Sequence, residues 1–234
     1  MLSSKKIFIT GTSRGIGLEF TRQFLKQGNT VFAVARSYDE TTPLGGMQNE
    51  YGDRLVLIQA DVTTEEGRSR IQDEIFGKTE TLDLVINNAG IYLDRGVQMD
   101  EVSEDILIRS FQTNAVAPVL VTQTVLSLLH KGEAPRLVAI TSLMGSIDDN
   151  GRGGTYAYRM SKVALNMFMK SFSRDFPHII SLTLHPGWVQ TDMGGSDATT
   201  SVEEAVRGMI KVIEASTLKV SGNFYDADGD VCPW

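Results

Sequence analysis

The chain has 234 residues, 41% of them hydrophobic and 22% charged, a globular composition long enough to bury a sizeable core. Its net charge of −7 argues against a nucleic-acid partner, which needs a basic surface. Cys232 is the single cysteine, which excludes an intrachain disulfide and points to a reducing compartment, with the cytoplasm as the default.

The first residues, MLSSKKIFITG, are basic and then apolar. The apolar run from Ile7 to Ile9 is too short for the core of a signal peptide, and no other run approaches the roughly 20 residues that span a membrane. A strand is predicted over 6–11 (KIFITG), running into the turn Gly11-Thr12-Ser13-Arg14-Gly15-Ile16-Gly17 and a helix that closes at Gly28. Further strands are predicted at 30–36, 55–61, 82–90, 136–142 and 180–187, with a weaker one at NFYD (223–226). Between them, Thr63-Thr64-Glu65-Glu66 offers a capping box before a helix that stops at Gly77. A helical pattern runs over 103–130, another continues from Tyr158 through VALNMFMKSFSRDF (163–176), and Ser201 with Glu204 offers a second box before AVRGMIKVIEA. Most of the strands are near-continuous apolar runs, as expected where both faces are covered. Strand alternating with helix, and no linker or low-complexity stretch, predicts one α/β domain over 1–234. Its core is a doubly wound parallel sheet of about seven strands, a Rossmann fold.

Glycines between a first strand and a first helix allow a tight turn and let backbone N–H groups approach a pyrophosphate at the positive end of the helix. The same letters, G-T-S-R-G, also fit the nucleophile elbow of a hydrolase, with Ser13 as nucleophile. That reading fails on topology. An elbow needs an oxyanion donor from a loop after an earlier strand, and no strand is predicted before the one that runs into residue 13. His178 and His185 stand in no loop built to complete a triad.

TGTSRGIG (10–17), NNAG (87–90), the serine closing the fifth strand in ITSLMG (140–145) and YRMSK (158–162) occur together and in order. In these motifs the chain resembles the short-chain dehydrogenase/reductase family over essentially its whole length. LMGSIDDN, HPGWVQTDMGG and Pro233-Trp234 further resemble the Sniffer-type carbonyl reductases and the C-factor-like proteins. The resemblance implies a catalytic group of Asn114, Ser142, Tyr158 and Lys162.

Hydride transfer to a carbonyl needs a proton donor for the developing alkoxide, and an ammonium one helical turn from a phenol is expected to pull its pKa toward working pH. The i,i+4 spacing puts Tyr158 and Lys162 on one face. Tyr156 has Met160 at that distance and is expected to pack or line the rim. Ser142, at the sheet edge where ligands bind, would hydrogen-bond the substrate carbonyl. The resemblance implies that Asn114 holds a relay water at a helix kink. Pro118, four residues on, would remove an intrahelical bond there.

An NAD enzyme places an acid at the end of the second strand, but Ala35 and Arg36 stand there, and Asp39 and Glu40 come too late. Arg36 with Arg14 suits the 2′-phosphate of NADP. By resemblance, Gly11, Ser13, Arg14, Gly15, Ile16 and Gly17 form the pyrophosphate turn, and Asp61 and Val62 hold the adenine edge. Asn88, Ala89 and Gly90 line the ribose side, Tyr158 and Lys162 meet the nicotinamide ribose, and Pro186, Gly187, Val189 and Thr191 meet the carboxamide. Met144, Trp188 and Met193 are expected to touch substrate. Tyr158 follows Ser142 by sixteen positions, more than the commonest family spacing, so specificity is where the resemblance carries least. No metal-ligand spacing is visible among three histidines and one cysteine.

The expected activity is NADPH-dependent reduction of a ketone, aldehyde or quinone. The alternative is a C-factor-like signalling protein with little or no turnover, which would not need the four catalytic residues together. Leu165, Met167, Phe168, Met169 and Phe172 span more circumference than one sheet-facing stripe requires. With the 103–130 helix they predict a two-fold interface in a homodimer or homotetramer, against the alternative of burial within one subunit. TDMGGSDATT (191–200) is expected to form a mobile, open lid.

Overall fold

Seven apolar runs form the strands β1 (Lys6–Thr10), β2 (Thr30–Ala35), β3 (Leu55–Gln59), β4 (Leu84–Asn87), β5 (Arg136–Ile140), β6 (Ile180–His185) and β7 (Asn223–Asp226). They are seen in a computed structural model that describes residues 2–234. The sheet order is β3-β2-β1-β4-β5-β6-β7 and every pairing is parallel, as predicted for a Rossmann fold. Strand order reverses between β1 and β4, which opens a crevice at their carboxyl ends.

The helices are α1 (Gly15–Lys26), α2 (Pro43–Tyr51), α3 (Glu65–Phe76), α4 (Glu104–Phe111), α5 (Ala117–Leu129), α6 (Tyr156–Asp175) and α7 (Val202–Ala215). They cover both faces of the sheet. Ile7 and Ile9 of β1 pack with Phe20 and Phe24 of α1 and Met209 of α7. Phe8 between them points the other way, into a cluster with Ile71 of α3, Val125 of α5 and Leu165 of α6. That alternation is why the strands carry apolar residues at every position. Each fully buried side chain of this size contributes about 1.5–3 kcal/mol.

Three departures from the sequence reading have local causes. Thr64 caps α3 by accepting from Gly67 N at 3.0 Å, but the third helical residue is that glycine, so the reciprocal half of a capping box cannot form. The Ser201–Glu204 box is complete. Helix α2 was not predicted because Gly45 and Gly46 erase its pattern. Gly45 is needed there, since a Cβ would stand 2.0 Å from the Asp39 carbonyl oxygen. The helical stretch predicted over 103–130 is interrupted by a π turn at Gln112–Val116. On α6, Leu165, Met169 and Phe172 are buried within the subunit, which accounts for most of the broad apolar circumference, while Met167 faces outward. Among the described residues no helix is long and apolar enough to cross a membrane.

Candidate active site

The glycine turn is folded tightly against the end of β4. A Cβ on Gly17 would lie 2.2 Å from the Gly11 carbonyl oxygen, so only glycine fits. Gly11 has φ +71°, and a Cβ there would lie 2.8 Å from Ala89 Cα. Asn88 fastens the turn by donating from Nδ2 to the carbonyls of Thr10 (2.9 Å) and Gly11 (3.1 Å). Thr10 Oγ1 accepts from the N–H groups of Asn88 and Ala89, each at 3.1 Å. Thr12, which sequence reasoning passed over, is fully buried and donates to the Val34 carbonyl at 3.0 Å. Ser13 and Arg14 remain exposed. Helix α1 begins with no capping side chain and no acidic residue in its first turn. Its first N–H groups are therefore open to an anion, and the residues present fit a dinucleotide pyrophosphate.

Helix α6 carries Tyr158 and Lys162 into the crevice, both buried. Lys162 Nζ lies 5.6 Å from the centroid of the Tyr158 ring and donates to the Ile140 carbonyl, at the end of β5, at 3.0 Å. Burial pushes the Tyr158 phenol up to about 12, opposed by the Ser142 hydroxyl and assisted by Tyr92 and Asp94. Burial pulls the Lys162 ammonium down to about 8. The expected lowering of the phenol is thus not seen in the chain by itself, because desolvation outweighs the Ser142 hydrogen bond that opposes it. The consequence is a phenol fully protonated near neutrality, the form that can donate a proton.

Ser142 lies beside this pair, its Oγ accepting from Met144 N at 3.1 Å. Asn166, one turn beyond Lys162, accepts from Thr141 Oγ1 (2.7 Å) and donates to the Gly145 carbonyl (3.0 Å), which clamps both ends of the turn carrying Ser142. Its i,i+4 spacing from Lys162 was the available signal. Asn114 sits in the π turn, fully buried. Its Oδ1 accepts from Ile91 N (2.8 Å), and its Nδ2 donates to the Ile91 carbonyl (2.9 Å) and to Ser161 Oγ (3.0 Å). Pro118 has no N–H to offer the Asn114 carbonyl. Asp94 was not anticipated. It is fully buried and accepts from Ala157 N (2.7 Å) and Tyr158 N (3.3 Å), capping α6 from 63 residues away. Thr155, in the cap position, has φ 46° and makes no cap itself. Tyr156 is exposed.

Arg36 stands exposed at the end of β2 and Asp61 follows β3. Burial works to raise the Asp61 pKa, but hydrogen bonds from Thr63 N (2.9 Å) and Oγ1 (2.6 Å), with the Arg36 charge, leave it lowered. Val62 beside it is buried. Arg14 does not turn toward Arg36 but pairs with Asp192 across the crevice at 2.6 Å. Gly90 abuts the tyrosine–lysine group, since a Cβ there would lie 3.3 Å from Asn114 Oδ1 and 3.5 Å from Lys162 Nζ. Beyond β6, Pro186 and Gly187 are half-buried and Val189 is buried. Thr191 Cγ2 stands 3.4 Å from where a Cβ on Gly15 would be, so this segment faces the glycine turn directly.

The 191–200 segment is closed at its base by Gln190 N to the Thr200 carbonyl (2.9 Å) and Thr200 N to the Trp188 carbonyl (3.2 Å). Its rim is held by the Arg14–Asp192 pair and by Arg95, which donates to the Met193 carbonyl. Trp188 is exposed and donates from Nε1 to the Gly194 carbonyl at 2.8 Å, and Met193 is exposed beside it. Met144 is half-buried, its carbonyl accepting from Arg159 at 3.2 Å.

A doubly wound sheet with an open helix start at its switch point and a buried tyrosine–lysine pair beside it defines a dinucleotide-dependent class of protein. Residues 5–201 match the family model for short chain dehydrogenase, and the chain belongs to that oxidoreductase family. It is similar to the carbonyl reductase Sniffer of D. melanogaster, with a TM-score of 0.92 and 30% identity over 100% of both chains. The NADPH-bound carbonyl reductase from chicken fatty liver gives a TM-score of 0.91 and 33% identity, again over 100% of both. By sequence, the C-signal of Myxococcus xanthus is 44% identical over 158 residues, 67% of this chain and 95% of that protein. The resemblance to Sniffer-type and C-factor-like proteins is borne out.

Proposed function

We propose that the protein is an NADPH-dependent oxidoreductase that reduces a ketone, aldehyde or quinone to an alcohol, with Tyr158 as proton donor. The observation that carries this reading is the buried Tyr158–Lys162 pair, its phenol held protonated beside Ser142 at the mouth of the crevice. The NADPH-bound state of the chicken carbonyl reductase supports the choice of cofactor. Bound NADPH would supply a hydride to the carbonyl carbon. Tyr158 gives its proton to the carbonyl oxygen, Ser142 hydrogen-bonds that same oxygen, and the Lys162 ammonium stabilises the phenolate left behind. Asn114, at the π turn, holds the water that returns the proton.

Gly11, Ser13, Arg14, Gly15, Ile16 and Gly17 would hold the pyrophosphate, and Arg36 the 2′-phosphate. Asp61 and Val62 would meet the adenine, Asn88, Ala89 and Gly90 the ribose side, and Pro186, Gly187, Val189 and Thr191 the carboxamide. Met144, Trp188 and Met193 form the substrate mouth. NADPH oxidation against a panel of quinones, aldehydes and diketones tests the reading, and turnover of at least one is expected. A second reading, a cofactor-binding signalling protein with little or no turnover, is favoured by the identity with C-signal. Firm NADPH binding with no oxidation across the whole panel would select it.

The reading places one domain over 1–234 in the cytoplasm, as a homodimer or homotetramer. Ile108 of α4, Val119 of α5 and Met160 and Met167 of α6 are exposed apolar side chains that a two-fold pairing would cover. Light scattering at micromolar concentration should give at least twice the 25.7 kDa chain mass. A fully active monomer would remove the pairing and leave the chemistry untouched.

A further inference from the structure

One aromatic side chain at the site has no part in the chemistry above. Tyr92 lies on the segment leaving β4, and its ring centroid is 4.4 Å from that of Tyr158, with the planes 25° apart. This is a stacked pair at the close end of the usual range. The Arg95 guanidinium lies 5.1 Å from the Tyr92 centroid. Because Tyr158 occupies one face of Tyr92, Arg95 must cover the other. Lys162 Nζ lies over the Tyr158 ring, so two cations bracket two stacked rings.

The stack is held from both sides in sequence. Immediately before Tyr92, the Ile91 peptide gives both its N–H and its carbonyl to the Asn114 side chain. Two residues after it, Asp94 is fixed on the first N–H groups of α6, the N–H of Tyr158 among them. The backbone carrying Tyr92 and the backbone carrying Tyr158 are thus tied to one another through Asp94.

We propose that Tyr92 is a positioning residue for Tyr158: its ring fixes the plane of the phenol and shields that face from water, leaving the hydroxyl edge as the part open to substrate. The ionisable and polar groups facing Tyr158 are Tyr92 and Asp94 from this segment, Ser142 from the turn after β5, and Lys162 from α6 itself. Arg95 and Arg159 act on Tyr92 in turn. Desolvation is the largest cause of the raised Tyr158 phenol, and a ring stacked 4.4 Å away covers one face of that phenol. Removing the ring admits water and lets the phenol ionise at lower pH. Reduction needs the protonated phenol, so activity falls as pH rises through the Tyr158 pKa. Lowering that pKa moves the fall to lower pH.

The test compares Tyr92→Phe, Tyr92→Leu and Tyr92→Ala with the unaltered protein. Tyrosine ring carbons are followed by NMR through a pH titration, and Tyr158 is assigned with Tyr158→Phe. The phenylalanine variant keeps the stack and loses only the Tyr92 hydroxyl, whose charge adds to the rise, so its Tyr158 titration should move less than in the leucine variant and its kcat should stay close to the original. The leucine and alanine variants should titrate lower by about one pH unit or more and lose about ten- to a hundred-fold in kcat. NADPH affinity by fluorescence should be unchanged in all three. If the alanine variant does not fold, the leucine variant, which keeps most of the volume, carries the same comparison. An unmoved Tyr158 titration in the leucine variant, or a phenylalanine variant as impaired as the leucine one, overturns the proposal. The kinetic arm rests on the reductase reading, but the titration does not. A protein that reduces nothing, yet whose Tyr158 titration shifts on loss of the Tyr92 ring, would sink that reading and leave the stack standing.

Discussion

Tyr158→Phe is expected to lower kcat by about 10²- to 10⁴-fold, the usual contribution of a positioned general acid, while NADPH affinity stays close to the original. Phenylalanine keeps everything that the ring itself does here. It still fills a buried position, still stacks on Tyr92, and still lies under the Lys162 ammonium. Asp94 still caps the helix through main-chain N–H groups, which the substitution does not touch. What is lost is one hydroxyl, so a large drop in turnover has no other structural cause available. Tyr156→Phe is the matched comparison. That ring is exposed two residues earlier on the same helix, with Met160 rather than a lysine one turn on, and it should retain most turnover. Steady-state kinetics on any carbonyl compound that the protein reduces decides it. Equal losses in the two variants would remove Tyr158 from its role.

These comparisons also mark what could be read in the sequence. The strands were legible because both faces of the sheet are covered. Phe8 and its neighbours Ile7 and Ile9 go to opposite cores, which leaves a continuous apolar run that a surface strand would not show. Tyr158, Lys162 and Ser142 were legible because they stand at strand ends or at one-turn spacing. Other parts were not. Gly45 of α2 is dictated by the approach of the Asp39 carbonyl, a contact that no helical pattern encodes. Asp94 acts on a helix 63 residues away, and its neighbours in sequence give no hint of that. Tyr92 has the same difficulty, since its partner is a ring on another element. The 191–200 segment, polar and glycine-containing, suggested an open lid. Its base is nonetheless stitched by two main-chain hydrogen bonds, and long-range partners hold its rim. The phenol pKa of the chain by itself was not legible for a related reason. Spacing shows that an ammonium is near, but not how deeply the pair is buried.

Arg36→Asp is expected to weaken NADPH binding by roughly ten- to a hundred-fold or more and to change NADH binding little. A charged hydrogen bond of the kind a guanidinium makes to a phosphate is worth about 1.5–3 kcal/mol, and that sets the lower part of the range. The new carboxylate adds repulsion, and it also stands near Asp61, whose carboxylate loses the favourable Arg36 charge. NADH carries no 2′-phosphate, so it escapes both terms. The two arginines predicted together are not equivalent in the folded chain. Arg14 is already engaged with Asp192 across the crevice, and reaching a phosphate would mean leaving that partner. Both groups of that pair are largely exposed, so the exchange costs little, but it offsets part of what a phosphate contact gains. Arg36 makes no ion pair among the described residues and has only the longer-range attraction of Asp61 to share. Arg14→Ala should therefore weaken NADPH binding less than Arg36→Ala. Fluorescence titration with both cofactors measures all of these without requiring turnover. An unaltered protein that binds NADH more tightly than NADPH would refute the assignment of Arg36 before any substitution is made.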